Sequence, residues 1–128
     1  MSLRSPLGRA IGAGSAKEGV HHWWTQRLSA LALVFLSIWF VVSILSLPAH
    51  DYATVSAWMR QGWTAVLLIL FVITAAWHSQ LGVRVVVEDY VHGSGMKTLS
   101  LALVTFLHAA LAVAGVFAIL RVALGGAV

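Results

Sequence analysis

Three long apolar runs, set apart by short polar stretches, dominate the pattern along this chain. Residues 28–47 hold no charged side chain and are followed by Pro48. Residues 63–87 are interrupted by His78, Gln80 and Arg84, and residues 99–120 have His108 as their one ionisable group. A hydrocarbon core about 30 Å thick is crossed by about 20 apolar residues in helix. The pattern therefore predicts an all-α membrane protein with three transmembrane helices, at about 28–47, 63–87 and 99–120. Residues 1–27 read as a polar tail and interfacial segment ahead of a membrane domain over 28–128. The linkers, 48–62 and 88–98, contain the breakers Pro48, Gly62, Gly93 and Gly95. Ser15 followed by Glu18 matches the capping box S-x-x-E, so the first helix is expected to begin before the membrane.

Composition excludes the soluble alternative. Hydrophobic residues make up 60% of the chain and charged residues 9%, against about 25% in ordinary globular domains. Mean hydropathy is +0.92. With no cysteine, the chain supplies no disulfide, thiolate zinc site or iron–sulfur ligand. The net charge of +4 comes without a basic cluster interleaved with aromatics. It suits anionic lipid headgroups and not nucleic acid.

The placement of Lys and Arg gives an orientation. Arg4, Arg9, Lys17 and Arg27 lie in the tail, and Arg84 and Lys97 flank the second loop; Arg60 and Arg121 fall on the other side. The N-terminus is expected to face the cytoplasm or matrix, and the C-terminus the opposite side. Trp23, Trp24, Trp58 and Trp63 fall at the expected interfaces. Residues 1–17 lack an acid and carry three bases and three serines, which reads either as a short transit peptide or as a native tail.

Polar groups in hydrocarbon are costly, so each is a functional candidate. His78 lies near the middle of the second span. Ala75, His78 and Gly82 share a helix face, giving an imidazole between small residues. One reading is a haem ligand with room for a porphyrin; the other is a helix–helix seam bridged by histidine. His108 lies at the same depth, about 16 Å from the second turn, and reads more simply as a seam residue. Glu88-Asp89-Tyr90-Val91-His92 closes the second span. Tyr90 beside Asp89 there suits a polar headgroup whose tail enters the lipid, or is an ordinary polar helix end. His21 and His22, adjacent on a helix, point about 100° apart and chelate a metal poorly. Arg27 either snorkels to water or pairs with an anion such as a propionate. Arg84 and Glu88 are spaced for an i,i+4 ion pair. His50, Asp51 and Tyr52 read as a polar loop.

Together these segments resemble a known family. Gly19-Val20-His21 with Arg27 and Ser29-Ala30, then His78 with Leu81-Gly82, then Asp89-Tyr90-Val91 stand in the order found in the hydrophobic membrane anchor of succinate:quinone oxidoreductase, respiratory complex II, D-type. The resemblance covers roughly residues 15–92. The companion C-type anchor's His-x-x-x-Gly-x-Arg-His pattern is broken here by Val85. The resemblance implies that this chain pairs with a C-type anchor to hold one b-type haem, with His78 as axial iron ligand. It implies that His21 and Arg27 lie near the haem propionates, and that Tyr90 hydrogen-bonds ubiquinone with Asp89 beside it. It further implies an iron–sulfur subunit and a succinate-oxidising flavoprotein as partners, with no succinate site in this chain. A bacterial cytoplasmic membrane is the expected location, a mitochondrial inner membrane the alternative. Whether the complex oxidises succinate or reduces fumarate is not written in these motifs.

Overall fold

The computed structural model describes residues 18–125, so the tail, its transit-like character and the Ser15 half of the capping box lie outside the described residues. Four helices follow in order: α1 (Glu18–Leu45), α2 (Tyr52–Met59), α3 (Gly62–Tyr90) and α4 (Ser94–Ala123). The three long ones each contain a segment long and apolar enough to span a membrane: Val20–Leu45, Gly62–Tyr90 and Ser94–Ala123.

These segments are 26, 29 and 30 residues long, which at about 1.5 Å per residue exceeds the hydrocarbon thickness. Each therefore runs past the apolar stretch that marks it in sequence. Hydropathy locates the hydrocarbon boundary, whereas a helix continues until its hydrogen bonding is interrupted. For α1 the interruption is Pro48, which disfavours helical backbone at the residue before it. For α3 it is the short connection Val91-His92-Gly93, after which α4 begins.

α3 is the central element, with α1 on one side and α4 on the other; among the described residues the backbones of α1 and α4 do not approach each other. The antiparallel order places the start of α1 and the α3–α4 connection at one end, here termed the tail end. α2 lies at the far end against α3 and α4. The approach of α4 to α3 is close: a Cβ on Gly115 would lie 2.7 Å from Val72 Cγ1. Small residues at such crossings let helix backbones come together.

α2 departs from the polar loop expected between the first two spans. The Thr54 backbone N–H donates to Asp51 Oδ1 at 2.8 Å, a side-chain N-cap. That same bond holds the Asp51 carboxyl below its ordinary range. The cap starts a helix that turns Trp58 inward. Trp58, expected as an interfacial ring, is buried, stacking on Trp39 at 6.1 Å between centroids. With Ala65, Leu68 and Ile119 it forms the buried core, which sits at the far end of the bundle.

Elsewhere the helices present large apolar side chains outward, Phe106 and Leu103 among them. In water such a surface would drive aggregation; in a bilayer it faces lipid or a partner helix. The buried core lies at the far end, and the polar-lined cavity at the tail end.

Candidate functional site

His78 is half-buried on the α1 side of α3. Its Nδ1 lies 2.9 Å from the Ser29 hydroxyl oxygen, across a helix–helix contact. Ser29 Oγ is also 3.1 Å from the Gln26 backbone carbonyl. The other ring nitrogen, Nε2, has the Gln26 side-chain amide nitrogen at 3.5 Å, the outer limit of a hydrogen bond. Gln26 Oε1 is buried without a hydrogen-bond partner. A Cβ on Gly82 would stand 3.9 Å from the same amide.

The small-residue face expected around His78 is thus divided. A Cβ on Gly82 would meet the Gln26 amide and no atom of the imidazole within 4 Å, so the Gln26 amide stands between the glycine and the ring nitrogen it neighbours. Ala75 is turned instead toward α4, lining a cavity with Phe71, Val72, Ser79 and His108. Room for a macrocycle at His78 depends on moving a flexible glutamine side chain and not on a standing void.

His108 belongs to the α3–α4 seam. Its Nδ1–H donates to the Val104 carbonyl at 2.8 Å, which leaves Nε2 to accept from the Ser79 hydroxyl at 3.2 Å. One turn away the Gln80 amide donates to Thr105 Oγ1 at 3.2 Å. Both ring nitrogens of His108 are engaged within the chain, as the simpler reading expects.

At the tail end a cavity of about 420 Å³ opens between the start of α1 and the last turns of α3. His21, His22 and Thr25 form one wall; Trp77, Leu81, Arg84 and Glu88, spaced along one stripe of α3, form the other. His22 Nε2 is buried without a partner. Arg27, grouped with His21 by the sequence, does not line this cavity. Its guanidinium stands 5.3 Å from the Trp23 ring centroid, a cation–π contact one turn back along α1.

Arg84 Nε donates to Glu88 Oε1 at 2.9 Å, the i,i+4 pair the spacing predicts. Lys97 Nζ donates to the Glu88 carbonyl at 2.7 Å. Acids at a helix C-terminus oppose the dipole, but here two cations compensate the charge and cap the end. Glu88 is therefore accounted for structurally. Asp89 and Tyr90 are not: both are exposed, Tyr90 by 78%, and neither shares the Arg84–Glu88 pair. The structure does not bring them to the His21 cavity. They stand at the tip of the same helix as His78, about 18 Å further along it.

Of the two residues that touch His78, Gln26 has no place in the sequence reading, and Ser29 enters it only within the family motif, without a contact to His78. A polar stripe of Thr25, Gln26 and Ser29 at the head of an otherwise apolar run is the signal that marks them.

An apolar three-helix chain with a histidine held at mid-depth and an exposed Asp-Tyr pair at one membrane boundary has the architecture of a membrane anchor. The sequence model of the family described as succinate dehydrogenase/fumarate reductase transmembrane subunit matches residues 1–120, and the chain belongs to that family. It is 32% identical over its whole length to the succinate dehydrogenase hydrophobic membrane anchor subunit of Paracoccus denitrificans, covering 98% of that protein. It is 33% identical over 81% of its length to the subunit of the same name from Rickettsia bellii (strain RML369-C), covering 84% of that protein. Membership makes it one subunit of a multi-subunit complex and a multi-pass membrane protein.

The b-type haem implied by the family fits the residues present. Among the described residues no three His, Asp or Glu side chains converge as a metal site. A haem iron asks this chain for one imidazole, with the second axial ligand from elsewhere. His78 offers a nitrogen with no partner nearer than the Gln26 amide at 3.5 Å, and the oxygen of that amide is unsatisfied.

Proposed function

We propose that this chain is the D-type anchor of a succinate dehydrogenase, sharing one b-type haem with a C-type anchor and helping to form the site where ubiquinone is reduced. The observation that carries this reading is His78, with Nδ1 engaged by Ser29 at 2.9 Å and Nε2 without a close partner at the middle of a transmembrane helix. In hydrocarbon an imidazole needs partners for both nitrogens, and iron satisfies the second.

His78 would hold the iron through Nε2, with the Gln26 amide that now stands 3.5 Å from that nitrogen moved aside. When bound, the haem would supply a one-electron store. At the tail end His21, with His22 beside it, would hold the propionates from the cavity wall, and Arg27 would join them only by giving up its Trp23 contact. At the membrane boundary the Tyr90 phenol donates to a quinone carbonyl, and Asp89 orients it and relays protons from water. The quinone's tail lies in the lipid.

The electrons come from succinate, oxidised in a flavoprotein and passed through an iron–sulfur subunit. Both dock on the cytoplasmic face, and the excess of Lys and Arg supports the tail end as that face. Bacterial relatives favour a bacterial cytoplasmic membrane.

Purification in mild detergent tests the reading as a whole. The chain should co-purify with a second small hydrophobic subunit, an iron–sulfur subunit and a flavoprotein, in a preparation with a b-type optical spectrum. A colourless, quinone-insensitive preparation without the flavoprotein would contradict it.

A further inference from the structure

Ser29 has one hydroxyl hydrogen and two neighbours within reach: the Gln26 carbonyl at 3.1 Å and His78 Nδ1 at 2.9 Å. The carbonyl is an acceptor only. Nδ1 is a donor or an acceptor according to the tautomer. Two proton arrangements therefore satisfy this triad, and they differ in which ring nitrogen keeps its lone pair. If Ser29 donates to Nδ1, the ring proton sits on Nε2 and that nitrogen has no lone pair to offer. If Ser29 donates to the Gln26 carbonyl, its oxygen accepts from Nδ1–H, and Nε2 carries the lone pair.

We propose that Ser29 is a positioning residue for the haem: its hydroxyl fixes His78 in the tautomer that leaves Nε2 free for iron and strengthens Nε2 as a donor. The inference rests on the assignment of His78 as axial ligand. It adds the group that makes that ligand competent. The acceptor half of the relay is a backbone carbonyl one turn below Ser29, so it stays in place whatever side chain occupies position 29. An Nδ1–H donated to a hydrogen-bond acceptor pushes electron density toward Nε2, which favours ferric over ferrous iron. Ser29 also fixes the ring's rotation, since the contact ties α3 to α1 across 49 residues of sequence. Threonine would keep the hydroxyl at this helical position; alanine would remove it and leave the helix backbone intact.

The test uses the purified complex with its haem, in wild-type, Ser29→Ala, Ser29→Thr and His78→Ala forms. Optical redox titration gives the haem midpoint potential, and low-temperature EPR gives the ligand field of the ferric iron. Ser29→Ala is expected to retain haem, with a potential shifted to more positive values and an altered low-spin signal. Ser29→Thr is expected to match wild type in both. If Ser29→Ala fails to load haem, Ser29→Thr must still load it at the wild-type potential. A Ser29→Ala complex with unchanged potential and signal overturns the proposal, as does a Ser29→Thr complex that behaves like Ser29→Ala, since packing and not the hydroxyl would then be responsible. An unchanged spectrum in His78→Ala is a different failure: it removes the axial-ligand assignment itself.

Discussion

His108 Nε2 lies 3.2 Å from Ser79 Oγ, so the second mid-membrane histidine of this chain is spent on holding α4 against α3. Ser79 follows His78 directly, and successive residues point about 100° apart on a helix. α3 thereby turns one imidazole to α1 and accepts the other from α4. His108→Ala is expected to leave the b-type spectrum and haem content unchanged while loosening the α3–α4 contact. Interhelical hydrogen bonds in membranes average about 0.6 kcal/mol, so the loss should register as a small drop in the thermal midpoint of the complex. Loss of haem from His108→Ala would return this residue to the list of ligands.

Gly115 sets how near α4 approaches. Its missing Cβ would meet Val72 Cγ1 at 2.7 Å, and valine is stiff about χ1. Gly115→Leu is expected to cost about 1–3 kcal/mol through overpacking. Val72→Ala should recover part of that loss in the double variant. Thermal unfolding of the four constituent forms measures both effects.

Tyr90 is exposed at the end of α3, open to the quinone that the proposed function brings to it. Tyr90→Phe removes one hydrogen-bond donor. It is expected to lower quinone reduction about tenfold, the value of roughly 1.4 kcal/mol in rate. Succinate oxidation with an artificial acceptor should survive. Equal loss of both activities would point to failed assembly.

Asp51 provides a pH dependence at the far end. Its carboxyl is held below the ordinary value of 3.8, chiefly by the Thr54 backbone N–H. A lowered folded-state value means that the cap's contribution is full above about that pH and is lost as pH falls through the folded value. Acidification should fray α2 and release Trp58, read as a change in tryptophan emission. Asp51→Asn, which caps without titrating, should remove that acid-induced step.

The three spans are legible in the sequence because each apolar run is at least as long as the hydrocarbon is thick. The helix ends are less so: α1 starts at Glu18 and α3 ends at Tyr90, both outside the apolar runs, because hydrogen bonding and not hydropathy ends a helix. α2 is lost to the same reading. Eight residues are too few to stand out by periodicity, although Asp51 and Thr54 already form a capping pair.

At the site, His78 stands out because a titratable side chain in an apolar run is rare. Its partner does not. Ser29 is an unremarkable hydroxyl at the head of a span, and the contact depends on how α1 and α3 are rotated about their axes, which sequence spacing within either helix leaves undetermined. Arg27 shows the opposite case. Two fates for it, snorkelling and a propionate, follow from chemistry alone, yet Trp23 stands one turn away and takes the guanidinium.

The central assignment is best tested by the optical spectrum of the purified complex carrying His78→Ala. Weakening or displacement of the b-type absorption band, with the flavoprotein still bound, is the predicted result. A band of wild-type position, intensity and stoichiometry would show that iron is held by other histidines and would contradict the account.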